Sequence, residues 1–251
     1  MKALITGASS GIGRDIAREF ANMGIDLVLA ARRTDRLIEL KDELGVNTEI
    51  ITCDLSNREQ CMALYEKTRH MDIDILVNNA GFGLFGEFSE SDLQRETEMI
   101  DVNICAVHIL TKLFLRDFKE KDSGYILNVA SSAAFLPGGP LLSAYYATKS
   151  YVLRLSEAIY EELRREKSKV TISVLCPGPV KTEFDKTANV SFSVKGLTSQ
   201  KVAKVAVRGM FNRKLIIIPG FLMKAARILE KFLPEKMLLR IAYHMQKRKK
   251  G

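Results

Sequence analysis

No stretch of the 251-residue sequence approaches the ~20 consecutive apolar residues that a membrane-spanning helix requires. The most apolar patch, Leu215 to Met223, is broken by Pro219 and Gly220. Met1 leads straight into a short apolar strand, without the longer apolar region of a secretory signal. A soluble, cytoplasmic protein is expected. Cysteine is scarce: Cys53, Cys61, Cys105 and Cys176 stand far apart with no C-x-x-C pair. That excludes an obvious zinc ribbon or disulfide framework and leaves buried, reduced thiols. The histidines, His70, His108 and His244, are scattered, so no metal site is expected. With 47% hydrophobic and 27% charged residues, disordered and fibrous classes are also excluded.

Net positive charge is scarce over most of the chain despite a formal net charge of +8. From residue 221 onward, Lys224, Arg227, Lys231, Lys236, Arg240, Lys247, Arg248, Lys249 and Lys250 face only Glu230 and Glu235, so +7 of the excess lies in that segment. A nucleic-acid binder would carry its charge on the body, with aromatic platforms interleaved. No nucleic-acid partner is expected.

What the sequence does contain is an alternation of short β-branched runs with longer amphipathic stretches. Residues 3–6, 26–30, 49–53, 73–78, 124–130, 171–176 and 214–218 read as strands. Residues 12–23, 34–44, 57–69, 92–118, 145–167 and 198–212 read as helices between them. The strands are apolar on both faces, as in a parallel sheet covered on both sides. The class is α/β, a doubly wound sheet of about seven parallel strands with a C-terminal helical extension.

The first strand ends in Thr6-Gly7-Ala8-Ser9-Ser10-Gly11-Ile12-Gly13, and a helix begins at once. Glycines there permit a tight turn and let a pyrophosphate approach the helix N-terminus. Further along come Asn78-Asn79-Ala80-Gly81, Asn103, Ser132, Tyr145-Tyr146-Ala147-Thr148-Lys149 and Pro177-Gly178-Pro179-Val180-Lys181-Thr182. In order and separation these six motifs resemble those of the short-chain dehydrogenase/reductase family, from Met1 to about Ile218. The resemblance implies a single Rossmann-type oxidoreductase domain over 1–220, followed by a basic amphipathic helical extension over 221–251.

The chemistry is sensible in its own terms. Tyr145 and Lys149, four apart on a helix, project from one face. A phenol with a pKa near ~10 is a poor proton shuttle, and a nearby ammonium should lower that value. Tyr145 would then be the acid for carbonyl reduction or the base for alcohol oxidation. Ser132, thirteen residues before Tyr145, would donate a hydrogen bond to the same substrate oxygen. Strand alternation should turn its neighbour Ser131 to the other face, and Tyr146 points about 100° away from Tyr145. By resemblance, Lys149 also holds the nicotinamide ribose and Asn103 anchors a water in a proton relay. The catalytic set is thus Asn103, Ser132, Tyr145 and Lys149.

The same resemblance places cofactor contacts at Gly7, Ser9, Ser10, Gly11, Ile12 and Gly13 in the turn, and at Arg32, Arg33, Asp54 and Leu55 after the second and third strands. It adds Asn79, Ala80, Gly81, Tyr145, Lys149, Pro177, Gly178, Val180 and Thr182, with Asp54 against the adenine. NAD enzymes usually place an acid at the end of the second strand, whereas an arginine accommodates a 2′-phosphate. Here Ala31 replaces the acid and Arg32 follows it, so NADP(H) is favoured over NAD(H).

The loops at 82–88, 133–143 and 183–197 carry Phe82, Phe85, Phe88, Phe135, Leu136, Leu141, Phe184 and Phe192. An apolar ketone or aldehyde, ketoacyl-like or similar, is the expected substrate. The alternative is a cofactor-sensing dinucleotide-binding protein without significant turnover. Pairing of the two long helices would give a homodimer or homotetramer. In the extension, Leu222, Ala225, Ala226 and Leu229 share a helical stripe, as do Leu238, Ile241, Ala242 and Met245. Either these stripes pack on the protein or the segment makes a peripheral membrane contact.

Overall fold

The computed structural model describes residues 1–183 and 196–247, with Lys231 described by its backbone alone. Nine strands are found among them: β1 (Lys2–Thr6), β2 (Asp26–Ala31), β3 (Thr48–Thr52), β4 (Ile75–Asn78), β5 (Tyr125–Val129), β6 (Thr171–Leu175), β7 (Val180–Lys181), β8 (Leu197–Thr198) and β9 (Ile216–Ile217). Seven form one parallel sheet in the order β3-β2-β1-β4-β5-β6-β9. β7 and β8 make a separate parallel pair too short to leave a sequence pattern.

Helices α1 (Gly11–Ala21), α2 (Thr34–Glu43), α3 (Arg58–Thr68), α4 (Leu93–Ile100), α5 (Val107–Glu120), α6 (Ser143–Glu166) and α7 (Ser199–Phe211) cover the sheet. Successive strand side chains point to opposite faces, which divides the core in two. Ala3, Ile5, Leu27 and Leu29 pack with α1 and with Val202, Ala206 and Met210 of α7. Leu4, Val28, Leu76 and Ile126 pack on the other face with Leu110, Phe114 and Phe118 of α5. Every residue of β4 and β6 is buried, as continuous apolar runs require in a sheet covered on both sides.

The expected 92–118 helix is divided. Asp101–Ala106 is a π-helical turn between α4 and α5, a local widening often found at functional positions. Beyond the sheet lie α8 (Phe221–Leu229), a 3₁₀ turn at Glu230–Phe232 and α9 (Glu235–Lys247). α9 buries Leu238, Ala242 and Gln246, one row at i, i+4 and i+8, and leaves Ile241 and Met245 exposed. α8 buries nothing. No helix among the described residues is long and apolar enough to cross a membrane.

Chain order reverses where β1 neighbours β4, with β2 and β3 to one side and β5 and β6 to the other. Such a switch point opens a crevice at the carboxyl ends of the strands. The glycine-rich turn leaves β1 there, and residues 79–81 leave β4 beside it.

Candidate active site

Gly7 and Gly11 have φ of +65° and +56°, the left-handed conformation that other residues rarely adopt. Gly13 is required for space: a Cβ there would strike the Asn79 amide and come 2.7 Å from the Gly7 carbonyl. Asn79 Nδ2 donates to the Thr6 carbonyl at 3.0 Å and the Gly7 carbonyl at 3.1 Å. The Thr6 hydroxyl accepts from the Asn79 and Ala80 amides. The Asn79 side chain is thereby engaged in holding the turn. Ile12 packs against the core on one face of the sheet, and Leu55 is buried in the core on the other.

Around the turn lies a cavity of about 350 Å³ lined by Ser10, Gly11, Arg14, Lys181, Thr182 and Glu183. Arg14 Nε is buried with no hydrogen-bond partner among the described residues. A donor in that position, two serine hydroxyls and a helix N-terminus fit the pyrophosphate of a dinucleotide. Thr182 lies against Gly11, where a Cβ would come 3.1 Å from its methyl. Arg14 leaves no mark in the sequence beyond its place after Gly13.

The two arginines after β2 point in different directions. Arg33, at the N-cap of α2, reaches back to the turn and donates to Ser10 Oγ at 2.9 Å and Ser9 Oγ at 3.1 Å. Arg32 turns outward, its side chain 64% exposed and 3.9 Å from Asp54. Ala31 is buried at the strand end. Glu183 bonds Arg33 at 2.8 Å and Arg36 at 2.6 Å, and these two guanidiniums hold its carboxyl down at about 2.

At the end of β5 the two serines leave the strand in different conformations. The strand stops at Val129, Ser131 stays extended, and Ser132 opens a 3₁₀ turn with its amide donating to the Pro177 carbonyl at 2.8 Å. The Ser131 side chain hydrogen-bonds the Tyr145 hydroxyl. The strand has already ended at this pair, so its alternation does not govern them.

Tyr145 and Lys149 share a face of α6 as their spacing requires, with Lys149 Nζ 5.9 Å from the phenol ring centre. Burial pushes the Tyr145 phenol up to about 12, and the Ser131 hydrogen bond only partly offsets it. Burial likewise lowers the Lys149 ammonium to about 8. The expected lowering of Tyr145 by the ammonium is therefore outweighed by desolvation. Lys149 Nζ donates to the Val129 carbonyl at 3.1 Å, and a Cβ at Gly81 would come 3.1 Å from it.

Asn103 sits fully buried in the π-helical turn. Its amide donates to the Phe82 carbonyl at 2.9 Å and Thr148 Oγ1 at 3.0 Å, and its oxygen accepts the Phe82 amide at 3.1 Å. The side chain thus ties the 81–82 segment to α6.

Ala133, Leu142 and Tyr146 form an apolar cluster with Phe85, Leu136 and Tyr145. Leu141 holds a left-handed φ of +67°, its carbonyl accepting the Gly86 amide. Phe88 points outward, 68% exposed. Phe135 lies under the Arg227 guanidinium at 4.2 Å, and Phe82 under Arg95 at 5.1 Å. Phe184 and Phe192 lie outside the described residues. Gln246, which sequence reading missed, donates to the Tyr146 hydroxyl at 2.5 Å from α9.

The family model described as short chain dehydrogenase matches residues 1–191. Dehydrogenase/reductase SDR family member 11 of Gallus gallus is 35% identical over 193 residues, covering 72% of this chain and 75% of that protein. The short-chain dehydrogenase of Sphingobium yanoikuyae, solved with NADPH, superimposes with a TM-score of 0.81 at 31% identity, over 93% of this chain and 96% of that one. A Burkholderia phymatum short-chain dehydrogenase/reductase solved with NAD gives a TM-score of 0.83 at 27% identity, over 92% of each chain. With its doubly wound sheet, its glycine-rich turn and its Tyr145–Lys149 pair, the chain belongs to the short-chain dehydrogenase/reductase family of nicotinamide-dependent oxidoreductases.

Proposed function

We propose that the protein interconverts an apolar ketone or aldehyde with its alcohol, using NADP(H) in preference to NAD(H). The observation that carries this reading is Tyr145 one helical turn before buried Lys149, whose Nζ lies 5.9 Å from the phenol ring centre.

The turn from Gly7 to Gly13, with Ser10 and Arg14, would hold the pyrophosphate. Arg33 would meet the 2′-phosphate, assisted by the absence of an acid at Ala31. Asp54 would border the adenine, Lys149 and Gly81 the nicotinamide ribose, and the 177–182 segment the far end of the cofactor. When bound, the nicotinamide supplies the hydride for reduction or accepts it in oxidation.

Tyr145 donates the proton to the carbonyl oxygen. A phenol held near about 12 stays protonated at neutral pH, which suits an acid in the reducing direction. Ser131 donates a hydrogen bond to the same oxygen as negative charge develops there. Lys149 keeps a positive charge near the phenol. Asn103 fixes the π-helical turn and would anchor a water in a proton relay. The apolar cluster around Phe85, Leu136 and Leu142 favours an apolar substituent on the carbonyl.

Fluorescence titration with NADPH and NADH, followed by a panel of apolar ketones and aldehydes, tests the reading. Tyr145→Phe should keep NADPH binding and lose ~10²–10⁴-fold in turnover. Cofactor binding without turnover on any carbonyl would leave a sensing role instead. The reading includes a homodimer or homotetramer, supported by half-buried Ile109, Leu113, Leu155 and Tyr160 on α5 and α6. Light scattering returning a monomer mass would remove that part.

A further inference from the structure

α8 is mounted with its polar side inward. Met223 packs against Gly178, while Arg227 lies over Phe135 and bonds Glu230 at 2.5 Å. Arg227 and Glu230 are the more shielded partners, their side chains only 20% and 10% exposed. Phe221, Leu222, Ile228, Leu229 and Phe232 are 60–87% exposed. At about 100° per residue they fall within one arc of roughly 120°, opposite Met223, Arg227 and Glu230. An amphipathic helix packed on a protein in water turns its apolar stripe inward, so this outward stripe calls for an apolar cover.

We propose that α8 and the basic segment around it dock the protein on an anionic lipid surface, lying in the interface without crossing it. Charge selects this cover. The segment from residue 221 to the C-terminus carries a net +7, with Lys224 exposed at the edge of the stripe and Lys236 just beyond it. A two-fold pairing of copies through α8 would bring two such segments together, with repulsion at the rim. An anionic membrane offers an apolar layer beneath a negative surface, matching both the phenylalanine-bearing stripe and the lysines beside it. This inference is independent of the reaction proposed above and is read without any turnover.

Sedimentation of the full chain tests it, with vesicles of phosphatidylcholine alone and of phosphatidylcholine containing phosphatidylserine, at low and high salt. Binding is expected to the phosphatidylserine vesicles and to weaken with salt. Reversing Lys224 and Lys236 to Glu should weaken it by about fivefold or more per residue. The double variant Ile228→Glu/Phe232→Glu should lose at least about tenfold. Both residues are exposed, so an unchanged thermal midpoint will show that the fold is intact. No binding of the full chain to phosphatidylserine vesicles at low salt overturns the proposal. So does equal binding by the Ile228→Glu/Phe232→Glu variant, because charge alone would then be responsible. A mass in solution halved by that variant, with no vesicle binding by the unaltered chain, assigns the stripe to a second copy instead.

Discussion

The hydroxyl of Ser131 hydrogen-bonds the phenol of Tyr145, although the family's thirteen-residue spacing selects Ser132. A donor aimed at the oxygen that gains charge contributes about 10²–10³-fold in turnover. Ser131→Ala should therefore lose turnover on that scale and keep NADPH affinity. Ser132→Ala, which preserves the amide bond to Pro177, should remain within severalfold of wild type. Steady-state kinetics with an apolar ketone decide it, and the reverse ranking would restore Ser132.

Lys149 makes a second prediction, about stability. Its folded value of about 8 lies below the ordinary 10.5, so between those values the unfolded chain binds a proton that the folded chain does not. Stability must then rise with pH across that window, because the cost of burying the charge disappears. Tyr145, raised from 10.0 to about 12, acts oppositely above pH 10. Urea denaturation should show the wild type gaining about 2 kcal/mol on Lys149→Met between pH 8 and pH 10. Parallel stability curves for the two would mean that the lysine titrates normally.

Arg33 and Glu183 give a third. Arg33→Ala should weaken NADPH about 10–100-fold and NADH much less, the loss of a charged hydrogen bond to phosphate. Arg32→Ala, at an outward side chain, should have the smaller effect. Glu183 occupies the same guanidinium, so Glu183→Gln should tighten NADPH selectively. The pair is half exposed, which limits the gain to about fivefold or less. Fluorescence titration reads all three, and equal losses for both cofactors in Arg33→Ala would remove it from the 2′-phosphate.

The legible parts of this molecule are those set by local periodicity. β4 and β6 are buried end to end, so their apolar runs could be read directly, and Tyr145 and Lys149 share a face because any helix puts them there. Periodicity does not rank Ser131 against Ser132, because counting back from Tyr145 crosses a loop that includes the left-handed Leu141. Arg32 and Arg33 were both legible as candidates, but the direction of each depends on where α2 begins. The π-helical turn at Asn103 depends on bonds to Phe82 and Thr148. Glu183 and Gln246 act across separations of 150 and 100 residues, where no periodicity reaches.

Gln246 supplies the last prediction. It is 2% exposed on α9, donates to the buried Tyr146 hydroxyl, and leaves its own oxygen without a hydrogen-bond partner among the described residues. Tyr146 in turn packs edge-on against Tyr145, with ring centres 6.2 Å apart. Removing one partner of a buried hydrogen bond costs more than replacing both with apolar groups. Gln246→Leu and Tyr146→Phe should therefore each destabilise by about 1–3 kcal/mol in urea. The double variant should cost less than the two singles added together, with a coupling of about 1 kcal/mol or more. Because Tyr146 supports the ring beside the reacting phenol, the singles should also shift kcat more than NADPH affinity. Additive costs in the double variant would mean that α9 is held by Leu238 and Ala242 alone, with the Gln246–Tyr146 bond contributing nothing to its docking.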